Sequence, residues 1–315
     1  MRSRVPLSSL VIIGGLLAAR GGPALAEELP TPFDFVSNLD LECYESTAEP
    51  PPAAGVELHH LNPAMKGMSQ QAALGDLERV CLPVMKNGSE PPAETLDFIR
   101  WVDLACYKAT AEPVDVSLDI RHLNPQLAGL PDETVRVVEL RQLCLPVRKR
   151  RLLMNPPIPE HVQRLIEHVD VACYRLEEDT LDASLPLTLS HLNPIVKSLD
   201  LDDRATNLRS ARQLCLPVSK NEQEVPPDVL HVVQWVDFLR YALDPVPPVS
   251  IALRLRHLNP LYAAQPWFDV TLSTPPNLQL MVPIAKSIPS GGGGIPPDTH
   301  HQVRKAQPGK TPRAR

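Results

Sequence analysis

Three short motifs recur four times along the chain, and their even spacing constrains the fold more than any other feature of the sequence. The motif QLCLPVSK occupies 213–220 and recurs with small changes at 79–86, 142–149 and 279–286. The motif HLNP lies at 60–63, 122–125, 191–194 and 257–260. The motif D-x-x-C-Y lies at 40–44, 103–107 and 170–174, and at 237–241 with Arg240 in the place of the cysteine. The sequence is therefore four copies of one unit.

The repeats leave a segment at each end that belongs to no unit. Residues 1–26 have the basic start, the apolar run at Leu10–Ala19 and the small residues Ala24 and Ala26 that are typical of a signal peptide. Residues 288–315 combine a glycine run with a basic, proline-rich sequence, which predicts a disordered tail. Units 1 to 4 then span 27–89, 90–154, 155–223 and 224–287. We expect an exported protein, periplasmic or extracellular.

The charge of the repeated body argues against nucleic acid as a partner. The whole chain has a formal net charge of −6 at pH 7. Leaving out the three arginines of 1–26, and the five basic residues and one aspartate of 288–315, brings the body to about −13. Such a body repels phosphate backbones. No apolar stretch after residue 26 is long enough to cross a bilayer, so we expect no transmembrane segment.

The six cysteines are predicted to form one disulfide within each of units 1 to 3. Spacing alone does not choose among the ways in which six cysteines can pair. Unit 4, however, lacks both cysteines and has Arg240 and Met281 in their places, as expected if the two positions bond to each other. Zinc is the weaker alternative, because no C-x-x-C spacing is present. The predicted pairs are Cys43–Cys81, Cys106–Cys144 and Cys173–Cys215.

The order of patterns within a unit predicts a mainly β fold with short helices, an α+β small module. Each unit opens with prolines, and an i, i+3, i+4, i+7 apolar pattern such as Val162, Leu165, Ile166 and Val169 predicts a short helix. The D-x-x-C-Y motif and the alternating segment after it are typical of strands. A last strand carries the second cysteine. We expect four disulfide-stapled units packed in a row.

Two sets of recurring side chains are candidates for contact with a ligand. The histidine and asparagine of HLNP favour a turn-capping role, with ligand or metal contact, or general-base catalysis with a nearby aspartate, as alternatives. The lysine after CLPV is either a surface contact for an anionic partner or an edge residue that opposes aggregation. The first set is His60, Asn62, His122, Asn124, His191, Asn193, His257 and Asn259, and the second is Lys86, Lys149, Lys220 and Lys286.

The units resemble a family of uncharacterised, exported bacterial repeat domains of unknown function. The resemblance rests on Cys106-Tyr107, on Cys144-Leu145-Pro146-Val147 with Lys149, and on their counterparts in units 1 and 3. It covers most of 31–287, and unit 4 departs from it by lacking both cysteines. The resemblance implies a bacterial, exported repeat protein and assigns no functional residue.

We expect a non-enzymatic protein that is a structural or interaction module of the cell envelope or extracellular space and contacts a partner there. Fourfold repetition without one asymmetric catalytic set disfavours an enzyme, so we assign no catalytic residue, no cofactor and no metal ligand. A metal-binding periplasmic protein that uses the repeated His and Asp is the first alternative. A hydrolase with an unrecognised site is the second.

Overall fold

Fourteen strands and five short α-helices make up the part of the chain that this computed structural model describes, namely residues 28–49, 55–127, 129–180, 184–199, 201–274, 278–289 and 292–294. Unit 1 contains α1 (Pro32–Ser37), β1 (Asp40–Ala48), β2 (Gly55–His60) and β3 (Ser69–Lys86). Unit 2 contains α2 (Ala93–Ile99), β4 (Asp103–Thr110), β5 (Val116–His122) and β6 (Glu133–Arg150). Unit 3 contains α3 (Glu160–Ile166), β7 (Val171–Leu176), β8 (Leu185–His191), α4 (Pro194–Lys197) and β9 (Arg204–Lys220). Unit 4 contains α5 (Pro227–Val233), β10 (Phe238–Leu243), β11 (Ser250–His257), β12 (Phe268–Ser273) and β13 (Gln279–Ile288), and β14 (Gly292–Gly294) follows it.

Eight of these strands form a closed antiparallel barrel. Their order is β1, β3, β4, β6, β7, β9, β10 and β13, and β13 pairs with β1 to complete the circle. Leu41 of β1 lies opposite Pro83 of β3 on one side and opposite Met281 of β13 on the other. The prediction of a mainly β fold with short helices is confirmed. The expected row of units is wrong, because the first and last units are direct neighbours, and local sequence patterns do not encode that pairing.

Alternate side chains of the barrel strands point inward and meet a ring of helices at one end. Leu41 and Cys43 of β1 belong to an apolar cluster that includes the buried helix residues, whereas Tyr44 packs in a second cluster outside the barrel. Helices α1, α2, α3 and α5 contact one another in a closed ring. Prolines occupy the N-cap positions of α2, α3 and α5, where they interrupt no intrahelical hydrogen bond. The helices therefore cover one end of the barrel and leave the other to the strand ends.

The second strand of each unit reaches the opposite unit. β2 pairs with the start of β3 and with the end of β9, and β8 pairs in return with the start of β9 and the end of β3. Units 2 and 4 make the corresponding exchange through β5 with β13 and β11 with β6. The outer apolar cluster lies beneath these strands and includes Leu58, Ile120, Leu189 and Leu255. Units 1 and 3, and units 2 and 4, are therefore interlocked in pairs.

The three predicted disulfides are present. Cys43–Cys81, Cys106–Cys144 and Cys173–Cys215 each join residues that lie directly opposite on neighbouring barrel strands. Arg240 lies opposite Met281 in the same register in unit 4. The joint loss of both cysteines in that unit therefore identified the correct partner positions.

The structure describes only a short part of the predicted C-terminal tail. The predicted signal peptide, residues 1–26, and residues 295–315 lie outside the described residues. The prediction of a disordered tail is wrong for Gly292–Gly294, which pair with Lys286–Ile288. The edge of β13 offers backbone groups there, and a backbone ladder needs no side-chain pattern. None of the helices in the described part of the chain is long and apolar enough to span a bilayer.

Candidate functional site

The four lysines after CLPV lie inside the protein in ion pairs. They contact the aspartates of the D-x-x-C-Y motifs, as Lys86–Asp40, Lys149–Asp103, Lys220–Asp170 and Lys286–Asp237. Each lysine side chain is at most 1 % exposed, so the predicted surface or edge role is wrong. The cause is strand register. The pairing that sets Cys43 opposite Cys81 also sets Asp40 opposite Val84, two residues before Lys86.

The HLNP asparagines join each unit to the preceding one. Each asparagine Oδ1 accepts a hydrogen bond of 2.9–3.0 Å from the backbone N–H two residues later, so the asparagine caps the turn. Each Nδ2 group donates to the paired aspartate of the neighbouring unit: Asn124 to Asp40, Asn193 to Asp103, Asn259 to Asp170, and Asn62 to Asp237. The Asn62 bond, 3.0 Å long, connects unit 1 with unit 4 across the closure of the ring.

These buried networks are part of the scaffold and do not form a binding site for a charged ligand. Burial raises the pKa of Asp103 to about 6 against the attraction of Lys149, and it lowers the pKa of Lys149. The remaining three pairs shift in the same directions for the same reason. A buried ion pair adds little net stability, but loss of one partner leaves an uncompensated charge. We therefore infer that the four networks fix the strand register and hold neighbouring units together.

Each HLNP histidine contacts a tyrosine of the opposite unit. The Nε2 atoms of His60, His122, His191 and His257 lie 2.8–3.1 Å from the hydroxyls of Tyr174, Tyr241, Tyr44 and Tyr107, respectively. Desolvation lowers the pKa of His60, His122 and His257 to about 4, and that of His191 well below its usual value. The alternative of a His–Asp general base is wrong, because the aspartates contact the lysines and asparagines instead.

These histidines should reduce stability in acid, and His257→Gln tests the effect. Because the folded-state pKa of His257 is about 4 against 6.5 for an exposed histidine, the unfolded chain takes up the proton first as the pH falls. The free energy of unfolding has its full contribution from neutral His257 above pH 6.5 and loses it as the pH falls toward 4. At about pH 4.5 the loss is about 2–3 kcal/mol. His257→Gln keeps a polar partner for Tyr107 and removes the titration.

Urea unfolding at about pH 7 and about pH 4.5 measures this difference directly. Wild type should lose about 2–3 kcal/mol more than the variant on acidification. Comparison of the two proteins cancels the opposing titration of the buried carboxylates. Equal losses in the two proteins would contradict the lowered pKa of His257.

One histidine–tyrosine pair also carries a buried charge cluster. Glu42 accepts hydrogen bonds from the Tyr44 hydroxyl at 2.8 Å and from Arg204, whose guanidinium also lies 2.9 Å from His191 Nε2. The side chains of Glu42 and Arg204 are 0 % and 7 % exposed, so the cluster is closed to a substrate. The other units have Ala105, Ala172 and Leu239 at the position of Glu42, and Gln70, Glu133 and Phe268 at the position of Arg204.

The barrel end away from the helices forms a polar cavity of about 720 Å³ lined by residues of all four units. Ser46, Thr47, Thr110, Thr271 and Ser273 contribute hydroxyl groups to its lining. An inner ring of its lining residues lies two positions from the disulfide positions and consists of Glu45, Arg79, Lys108, Gln142, Gln213 and Gln279. We call this cavity the barrel mouth.

Arg240 lies in the layer of the disulfides, beneath Gln142 and Gln213 of the lining, and we call this layer the floor of the barrel mouth. Its Nη1 donates to Gln213 Oε1 at 2.8 Å and to Gln142 Oε1. Its Nη2 lies 3.5–3.6 Å from the sulfur atoms of Cys106, Cys144 and Cys173. Burial and the nearby Arg79 lower the pKa of Arg240 to about 9, so it stays charged at neutral pH.

Three polar atoms at this floor are buried without a hydrogen-bond partner: Arg240 Nε, Arg79 Nη1 and Gln279 Oε1. Among the described residues, Arg240 makes no ion pair with a carboxylate. Orphaned buried donors are rare and costly in folded proteins. The protein therefore leaves two donors and one acceptor unpaired at the barrel mouth, on Arg79 and Gln279, which line it, and on Arg240, which lies beneath it.

The repeat pattern indicates Arg240 only as the residue in a cysteine position and does not by itself predict a polar ring in a cavity. A usable signal was present, because Arg79, Gln142, Gln213 and Gln279 each lie two residues before the second cysteine position, on the same face of the strand. A polar residue recurring on an inward face indicates an open end of a barrel. Within the described residues, no three His, Cys, Asp or Glu side chains converge as metal ligands.

No protein-family model, curated protein or solved structure shows significant similarity to this chain. The function is therefore inferred from the chemistry of the barrel mouth.

Proposed function

We propose that the chain is a non-enzymatic binding module of an exported compartment and that a small organic anion binds in the barrel mouth. The observation that carries this proposal is Arg240, a fully buried cation without a carboxylate partner at the floor of an open cavity. An uncompensated buried charge costs several kcal/mol. A ligand carboxylate that pairs with Arg79 in the barrel mouth would supply the missing negative charge near Arg240.

The remaining lining indicates that the anion also carries hydroxyl groups. Gln279 Oε1 is an unpaired acceptor, and the serine and threonine hydroxyls around it are both donors and acceptors. A cavity of about 720 Å³ is in the range of small-molecule sites and larger than a simple inorganic anion needs. The lining also carries four carboxylates beside three basic side chains, so the charge that a bound anion would balance is that of the buried Arg240; the residues are Glu45, Asp76, Glu78 and Glu139, and Arg79, Lys108 and Arg141. A hydroxylated carboxylate, such as a sugar acid, matches that charge and the size of the cavity.

The rest of the molecule supports a binding role outside the cytoplasm. The three disulfides are consistent with an oxidising compartment. The recurring histidines, asparagines and lysines are occupied in the scaffold, so they supply no nucleophile or base to the barrel mouth. A module that binds an envelope or extracellular partner or solute, and does not transform it, is the function that fits this arrangement.

Arg79→Gln provides a matched test, because units 2, 3 and 4 carry glutamine at the same position. Calorimetric titration with D-glucuronate and D-gluconate at constant ionic strength should show binding to the wild type. The variant, which lacks the cationic group nearest to Arg240 in the proposed site, should bind at least about tenfold more weakly, since a charged hydrogen bond contributes about 1.5–3 kcal/mol.

Arg212→Gln is the control, because Arg212 is exposed and pairs only with Asp179 among the described carboxylates, away from the barrel mouth. It should leave the affinity unchanged. The proposal fails if Arg79→Gln binds as tightly as wild type, or if neither sugar acid binds the wild type.

A further inference from the structure

The turn after β6 places two leucines at an exposed tip. Arg151 and Met154 exchange backbone hydrogen bonds of 3.0 and 2.8 Å, which leaves Leu152 and Leu153 between them. Leu152 is 86 % exposed and Leu153 is 100 % exposed. Leu152 also has a φ of 49°, which is unfavourable for a residue other than glycine, asparagine or aspartate. Neither packing nor backbone preference within the described structure accounts for leucines at these positions.

Four arginines lie beside this tip in two like-charged pairs. Strand pairing sets Arg148 opposite Arg256 and Arg150 opposite Arg254. Like charges directly opposite each other destabilise a sheet. Trp267 lies under two of them, with its ring 5.5 Å from the guanidinium of Arg148 and 4.4 Å from that of Arg150. The sheet therefore ends in a basic patch that is joined to an aromatic ring and an apolar tip.

Acidic side chains do not neutralise this patch in the described part of the chain. Arg254 pairs with Asp269 at 2.9 Å, whereas Arg148 and Arg256 donate to the uncharged Asn155 and to the Ala263 carbonyl. Burial together with the repulsion of Arg256 and Arg150 lowers the pKa of Arg148. The patch carries an excess of positive charge that an external anionic group would compensate.

The architecture does not require this charge, because the three corresponding strand junctions lack it. The residue pairs equivalent to Arg148 and Arg256 are Met85 with Ser190, Ser219 with His59, and Ala285 with Arg121. The junction of units 2 and 4 through β6 and β11 thus differs from the others both in its arginines and in its exposed leucine tip. The difference indicates that these residues serve a function of this surface and are not required by the fold.

We infer that the tip and the arginine patch form a docking surface for an anionic lipid bilayer. Leu152 and Leu153 enter the acyl boundary, the arginines contact lipid phosphates, and Trp267 lies at the headgroup level. The charge is complementary to anionic headgroups, and the convex leucine tip matches insertion into lipid. The acidic remainder of the body does not oppose docking, because salt screens its charge beyond about 8–10 Å.

Vesicle co-sedimentation of the full mature chain with intact disulfides tests this inference. The protein should bind vesicles of equal parts phosphatidylglycerol and phosphatidylcholine, and should bind pure phosphatidylcholine at least about tenfold more weakly. The double variant Leu152→Ser/Leu153→Ser should lower the partition coefficient on the anionic vesicles by at least about tenfold. Arg150→Gln/Arg254→Gln should lower it similarly.

Arg212→Gln is again the control and should bind as wild type does. All these side chains lie at least partly exposed, so each variant is expected to fold, and its far-ultraviolet circular dichroism should match the wild type. Undiminished vesicle binding by the leucine variant would overturn the inference and indicate a site for soluble polyanions or an acidic protein. Equal binding to both kinds of vesicle, or to neither, would overturn it as well.

Discussion

The double substitution Arg240→Cys/Met281→Cys is expected to form a fourth disulfide and to raise the free energy of unfolding by about 3–4 kcal/mol. Arg240 and Met281 lie directly opposite each other, in the register that aligns the three natural pairs. The natural bridges close loops with sequence separations of 38–42 residues, and the new one would close a loop of similar length. The change also removes a buried cation from the barrel interior.

Thiol counting and urea unfolding measure the outcome. The denatured, unreduced variant should show no free thiol, and its added stability should disappear in reductant relative to wild type treated in the same way. Arg240→Ala/Met281→Ala removes the same side chains without a bridge and isolates the effect of the crosslink. Two free thiols per chain in the cysteine variant would show that the strand register described for unit 4 is incorrect.

Glu42→Leu alone should cost about 3–5 kcal/mol of folding stability, because it leaves Arg204 buried without its carboxylate. Leucine itself suits the site, since Leu239 occupies the corresponding position in unit 4 and is fully buried. The loss would therefore come from the uncompensated guanidinium and not from packing.

Adding Arg204→Phe should restore most of that stability. Phe268 has the corresponding place in unit 4, where its ring stacks on His257 at 5.5 Å, so unit 4 supplies an apolar template for both substitutions. Replacement of a buried ion pair by apolar residues of similar volume is often neutral or stabilising. Denaturant unfolding measures the free energy of unfolding of the wild type, the single variant and the double variant. A double variant as unstable as Glu42→Leu would show that Arg204 has another essential partner.

Local sequence patterns predicted the helices, strands and turns of each unit, because these elements depend on residues that are close in sequence. The helix patterns, the alternating strands and the turn at HLNP need only their own neighbours. The disulfides could be paired because both positions change together in unit 4. The Lys86–Asp40 ion pair could also have been predicted from the sequence, because pairing Cys43 with Cys81 brings these two side chains together. Their burial was missed because charged residues are usually exposed.

The arrangement of the units could not be read from those patterns. The contact of His60 with Tyr174 joins residues 114 positions apart in sequence, and it exists only because the barrel closes. The barrel mouth follows from the same closure, because Arg79, Gln142, Gln213 and Gln279 become one ring only in a circle of strands. Without the closure, Arg240 is a lone exception to a cysteine motif. With it, the same residue is a buried cation beneath the ring of side chains that lines the barrel mouth.

The pairing of β1 with β13 also determines how the chain must reach its native state. Leu41 lies opposite Met281, so the barrel cannot be completed before the last unit has been synthesised. Contacts this far apart in sequence slow folding, because the entropy of a long loop is lost before its contacts form. Until then both β1 and the last strand formed expose open hydrogen-bonding edges, which favour aggregation. A chain built this way depends on protection of its first strand until synthesis of the last unit is complete.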